Sequence, residues 1–200
     1  SVTGITISKE QLTYAKEFTK GLDVELRLQD YRDLNEKFDK ILICGMVEHV
    51  GYKNYRKIIE VVHSNLSDDG LFLLHTIGGN VSMTIGDPWV DTYIFPGGML
   101  PSITQIGKAI EGLFVMEDWH NFGTDYDKTL MAWFKNFDKR WLAPSDVEGP
   151  SLREKYGDRF YRMWKYYLLS FTGAFRSRDI QLWQIVLSKY GVAGGYTSVR

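Results

Sequence analysis

Two apolar runs, KILICG at residues 40–45 and LFLLHTI at 71–77, flank one helical repeat, and this constrains the fold most. Each run is short enough for a strand and apolar on both faces, as a strand covered on both sides must be. Ile41 to Gly45 is therefore expected to be buried. Between the runs, YKNYRKIIEVVHSNL puts Tyr55, Ile58, Ile59, Val62 and Leu66 at helical spacing, and SDDG reads as a turn. Strand, helix and strand in this order predict a parallel α/β sheet. Upstream, SVTGITIS is β-branched and KEQLTYAKEFTKGL is helical, with Ser8 as N-cap, Glu10 and Gln11 in the first turn and Gly21 as stop. VELRLQD alternates as a strand, and YRDLNEKFD has room for a short helix.

From residue 78 the rhythm breaks. GGNVSMTIGDPWVDTYIFPGGMLPS is rich in glycine, proline and aromatics, the composition of a binding loop or lid. A helix (ITQIGKAIEGL), a strand (FVMEDWHNFG) and an amphipathic helix with Leu130, Trp133, Phe134, Phe137 and Trp141 follow. A second long helical stretch starts at Leu152, with a break expected near Gly173. IQLWQIVLSKY closes the fold as a strand, and residues 191–200 read as a mobile tail.

A chain of 200 residues fits one domain and can bury roughly 70% of the surface it exposes unfolded. The net charge of -1 and the lack of a long basic run give no support for nucleic-acid binding. Cys44, the single cysteine, excludes an internal disulfide; inside an apolar run it reads as a small buried hydrophobe in a reducing compartment. No run reaches about 18 apolar residues and the first residues have no signal-peptide pattern, so a cytoplasmic protein is the default expectation. The 12 Tyr, 11 Phe and 6 Trp fit either a large aromatic core or a pocket for a big apolar ligand.

In open α/β sheets, ligands sit beyond the carboxyl ends of the strands. Polar residues cluster there: Thr6 and Ser8, Asp30 and Tyr31, Glu48 and His49, His75 and Thr76, Trp119 and His120. Any one of these acids alone is more often a cap or loop ligand than a catalyst. LQDY supplies an acid and an adjacent aromatic, similar to the nucleoside-binding pair of class I methyltransferases. Thr6 stands where the usual ribose-binding acid would be, and no glycine-rich loop follows a first strand.

Seven segments in collinear order, GITISKEQ, LQDYRDL, FDKILICGMVEHVG, LLHTIG, PWVDTYIFPGGMLPS, MEDWHNFGTDYDKTLMAW and GAFRSRDIQLWQIV, resemble the catalytic domain of bacterial cyclopropane-fatty-acyl-phospholipid synthases. The mycolic acid cyclopropane synthases share the pattern more loosely. The resemblance implies a class I S-adenosylmethionine-dependent methyltransferase (Rossmann-like) α/β sheet over residues 1–190, with 78–105 and 124–175 on the substrate side. It implies addition of a methylene from S-adenosylmethionine across a cis double bond of a phospholipid acyl chain. Such chemistry needs the sulfonium methyl held in line, aromatic faces around a carbocation-like centre, and a base for the proton lost on ring closure.

By the same resemblance the base is a bound bicarbonate ion, held by Glu48, His75, Tyr126 and the Ile77 backbone. Glu48 would orient the anion, and His75 beside a carboxylate is expected to have its charged form favoured. His49 would point away if the segment stays extended, and reads as structural. S-adenosylmethionine contacts map to Thr6, Gln11, Asp30 and Tyr31, and no metal site is assigned. Tyr167, Phe171 and Phe175 are candidates for a lipid tunnel, with plain core packing as the alternative. The resemblance further implies peripheral membrane contact at the inner face and a homodimer in the full-length protein.

The pattern of that family places its first strand and glycine-rich loop upstream of Ser1, with the strand central between TGITI and KILIC. The expectation is that the chain lacks both and binds S-adenosylmethionine poorly alone. Two alternatives stay open: a lipid methyltransferase making methyl-branched or hydroxylated products, and a non-catalytic lipid-binding remnant of the fold.

Overall fold

The computed structural model describes residues 1–143 and 151–199. The expected substrate-side segment 124–175 crosses 144–150, and the expected tail ends at Arg200; those positions lie outside the described residues. Twelve main elements follow one another: β1 (Val2–Thr6), α1 (Lys9–Phe18), β2 (Val24–Leu28), β3 (Phe38–Cys44), α2 (Tyr55–Asn65), β4 (Leu66–Gly79), α3 (Pro88–Tyr93), α4 (Ile103–Ile110), β5 (Val115–Asn121), α5 (Gly123–Leu142), α6 (Leu152–Arg176) and β6 (Ile180–Ser188).

Local signals explain several of these. Ser8 caps α1 by accepting from the Gln11 N–H, and Ser102 with Gln105 forms a reciprocal capping box on α4. The YRDLNEKFD segment does hold a short helix, a 3₁₀ turn at Tyr31–Asp33. The break expected at Gly173 lies instead at Gly157, where φ is +73°. That left-handed backbone suits glycine, whereas Gly173 stays helical inside α6. The SDDG residues are an irregular excursion within β4: Phe38 pairs with Leu66, but Lys40 already pairs with Leu71.

Among the described residues the strands form two sheets, not one parallel sheet. β1 and β2 pair in parallel by themselves. The other sheet has the order β3-β4-β6-β5, with β3 and β4 parallel and β6 antiparallel to both of its neighbours. Among the described residues β3 pairs only with β4, so its other edge is unpaired. Buried Asn65 ties the two units together. Its side chain accepts from the Glu36 N–H at 2.7 Å and donates to the Leu34 and Val61 carbonyls, fixing the connection between β2 and β3.

The larger sheet is covered unequally. Phe72 and Leu74 point into a core closed by α2 and α4, with Ile58, Ile59, Ile106 and Trp183. A second core, around Leu130, Leu168 and Phe175, lies between α5, α6 and β6. On the other face Leu71 and Leu73 are half-buried and Leu42 is 62% exposed. A shallow hollow there is lined by Leu42, Leu73, His120, Val186, Tyr196 and Val199. This corrects the expectation that Ile41 to Gly45 is buried throughout: Ile43 is buried, but Leu42 and Cys44 alternate onto the open face. No described helix is long and apolar enough to cross a membrane.

Candidate active site

The strand β3 ends at Cys44, and Gly45 (φ +61°) turns the chain out of the sheet while its N–H stays bonded to the His75 carbonyl. A 3₁₀ turn, Val47–His49, follows at once. Val47 is 1% exposed and anchors that turn in the core, so Glu48 is carried to the carboxyl end of the sheet. Its main-chain carbonyl accepts from the Met99 N–H at 2.7 Å, and its Oε1 accepts from the Ile77 N–H at 2.8 Å. Glu48 is only 7% exposed, and Oε2 has no hydrogen-bond partner among the described residues. A buried carboxylate oxygen without a donor is costly unless something supplies one.

His75, Tyr126, Tyr55 and Cys44 all feel the Glu48 charge. Tyr126, from the first turn of α5, stands edge-on to Phe175 at 5.0 Å and to Trp133 at 5.9 Å. Burial, then Glu48, raises the pKa of its phenol. The Tyr55 hydroxyl donates to the Met99 carbonyl, and burial pushes its pKa up to about 12. The structure thus brings together Glu48, His75, Ile77 and Tyr126, which are scattered over 79 positions of sequence.

His75 departs from expectation in its charge. Burial lowers its pKa, and this outweighs the opposing pull of Glu48. The Gln184 amide stands 3.3 Å from His75 Nδ1. The amide nitrogen can only donate, so Nδ1 accepts and the proton of the neutral ring sits on Nε2. The sign for stability follows. Below pH 6.5 the unfolded chain takes up a proton that folded His75 resists. Stability is fully present above that pH and falls as pH drops toward the lower folded value. His63, also shifted down by burial, contributes in the same direction. Replacing His75 with Asn is expected to flatten this acid slope in part, measured by urea unfolding at pH 5.5 and 7.5.

Sequence reasoning missed Gln184, and it missed Cys44 as a site neighbour. The register shows why they belong. Cys44 pairs with His75, His75 with Gln184, and Gln184 with His120, so four side chains form one row across β3, β4, β6 and β5. Phe122 supports this row, with its ring 5.7 Å from His75 and 5.0 Å from His120. His49 does not point away along an extended strand, because the 3₁₀ turn replaces extension there. It is exposed and stands edge-on to Phe95.

The four residues assigned to a nucleoside belong to the β1–α1–β2 unit and the turn after it: Thr6 ends β1, Gln11 is in α1, and Asp30 and Tyr31 follow β2. Thr6 Oγ1 donates to Gln11 Oε1 at 2.9 Å, so these two meet at the end of β1. Asp30 caps the turn after β2 and binds the Arg32 guanidinium, which holds its pKa down to about 2. Tyr31 packs on the core that contains Ile43 and Val47, linking this end to the Glu48 turn.

The sequence of Escherichia coli (strain K12) cyclopropane-fatty-acyl-phospholipid synthase is 53% identical over all 200 residues, which span 50% of that protein. A sphingolipid C9-methyltransferase of Komagataella phaffii is 32% identical over 94% of the chain and 41% of its own length. The chain thus spans half or less of these relatives. Among solved structures, the cyclopropane synthase MmaA2 from Mycobacterium tuberculosis has a TM-score of 0.81 at 24% identity, over 94% of this chain and 70% of that one. The mycolic acid cyclopropane synthase CmaA1, complexed with SAH and CTAB, has a TM-score of 0.80 at 25% identity over the same shares. A coclaurine N-methyltransferase superposes with a TM-score of 0.74 at 21% identity, over 93% of this chain and 60% of that one. The fold is the α/β fold of S-adenosylmethionine-dependent methyltransferases, with a mixed sheet. The sequence pattern of the mycolic acid cyclopropane synthetase family matches residues 1–185, and the chain belongs to that family.

Proposed function

We propose that a protein containing this chain is a cyclopropane-fatty-acyl-phospholipid synthase. It adds a methylene from S-adenosylmethionine across a cis double bond of a phospholipid acyl chain. The observation that carries this reading is Glu48, a buried carboxylate with one oxygen held by Ile77 and the other without a donor among the described residues, beside His75 and Tyr126.

Thr6, Gln11, Asp30 and Tyr31 hold the nucleoside end of S-adenosylmethionine. Acid, hydroxyl and aromatic side chains fit a nucleoside's amine, ribose and ring, and Asp30 is kept anionic by Arg32. When bound, S-adenosylmethionine supplies the electrophilic methyl. A further outcome of this reading is a homodimer of the full-length protein at the inner face of the membrane.

Bicarbonate fits the Glu48 cluster chemically, and when bound it supplies the base for ring closure. Glu48, His75 and Tyr126 would hold it: Glu48 Oε2 would accept from its hydroxyl, and His75 Nε2–H and the Tyr126 hydroxyl would donate to its oxygens. The Ile77 amide contributes through Glu48, whose Oε1 it fixes. Phe95, Tyr167 and Phe171 meet as an aromatic cluster, with centroids 4.9 to 6.5 Å apart, and form part of the acyl path. Their ring faces suit a carbocation-like centre. Phe175, 0% exposed, fixes Tyr126 from behind. Removing dissolved carbon dioxide and bicarbonate is expected to slow turnover at least tenfold, and adding sodium bicarbonate to restore it. Unchanged turnover in bicarbonate-free buffer would reject this anion assignment.

A further inference from the structure

The stretch from Thr76 to Gly107 contains no lysine or arginine and two acids, Asp87 and Asp91. Both acids are engaged by backbone. Asp87 accepts from the Trp89 and Val90 N–H groups, and Asp91 from the Gly97 N–H. Within it, residues 81–85 are all exposed, and three are apolar: Val81 at 69%, Met83 at 53% and Ile85 at 74%. Ile103, 57% exposed, opens α4 beside them, because Ser82 and Ser102 share a hydrogen bond of 2.6 Å. Gln105 Nε2 donates to the Met83 carbonyl, so the loop is pinned to α4 while Val81, Met83 and Ile85 stay exposed.

We propose that residues 81–85, with Ile103, form the membrane-docking element of the protein, inserting their apolar side chains into a phospholipid bilayer. This rests on the proposed lipid substrate. The patch carries no charge of its own, which suits hydrocarbon and no charged partner. Three loop side chains and one helix residue are also too few for a stable protein interface, which buries about 1,200 Å² or more. The chain leads from the patch to the site. From Ile85 the chain passes to Trp89, stacked edge-on against Tyr166 at 4.5 Å. It then runs to Phe95 against Tyr167 and Phe171, and to Met99, whose N–H holds the Glu48 carbonyl. An acyl chain leaving a bilayer at this patch enters the aromatic path directly.

The test uses the protein that contains this chain and sedimentation with vesicles of phosphatidylethanolamine and phosphatidylglycerol. The variant Val81→Ser/Met83→Ser/Ile85→Ser is expected to partition at least tenfold more weakly than wild type. Its turnover of the same phospholipid in detergent micelles is expected to stay within twofold. Ile85→Trp is expected to bind at least as tightly as wild type, with added fluorescence quenched by brominated acyl chains. Unchanged partitioning of the triple variant, no quenching of Ile85→Trp, or loss of self-association in place of vesicle binding would overturn the proposal. Weaker partitioning with no cyclopropane product from any form would leave the docking element standing and reject the lipid-synthase reading.

Discussion

Glu48→Gln is expected to lower turnover by about 10²- to 10⁴-fold, the range for losing a group that governs a proton transfer. The amide oxygen can still accept from the Ile77 N–H, so the 3₁₀ turn keeps its place. The change falls on Oε2, the buried atom without a partner among the described residues. There an NH₂ group replaces an acceptor, and the proposed bicarbonate, which would have to donate its hydroxyl, would meet a second donor. The same variant is expected to be more stable by about 1 kcal/mol, since a buried charge lacking one partner is replaced by a neutral group. Falling activity with rising stability separates a functional residue from a structural one. Steady-state kinetics and thermal unfolding of one preparation check both signs.

Gly78→Ala is expected to cost about 3 kcal/mol, at the upper end for overpacking a core. A Cβ at Gly78 would stand 2.0 Å from the Trp183 ring. That ring cannot retreat: Trp183 is 1% exposed and stands edge-on to Trp119 at 5.1 Å. For a chain of this size the melting midpoint drops by about 10 °C. The cause is local, so the alanine is expected to cost far less in a Trp183→Leu background, giving a large coupling energy in a double-mutant cycle. The site should suffer as well, because Gly78 adjoins Ile77, whose amide holds Glu48.

The order of strands and helices was legible in the sequence because periodicity and caps are local, except for α3, which lies inside the stretch read as a loop. Ser8 and the run around Ile58 and Ile59 each mark their elements without help from distant residues. The pairing was not legible. Nothing in IQLWQIV shows that it enters antiparallel beside β4, and only that register puts Gln184 against His75. Cys44 and Leu42 read as buried because an apolar run cannot reveal which face a helix covers. Glu48, His75 and Tyr126 were assigned through resemblance, since their spacing follows no local rule. The geometry added that Ile77 holds Glu48 and that burial, more than the carboxylate, sets the charge of His75.

The most direct test of the central claim is product mass. The protein containing this chain is incubated with S-adenosylmethionine carrying a deuterated methyl group and a phospholipid with one cis double bond. The account predicts a product heavier by one methylene that keeps two deuterons, has lost the double bond, and fails to form with Glu48→Gln. A product that keeps all three deuterons, or no product from the wild-type protein, would contradict it.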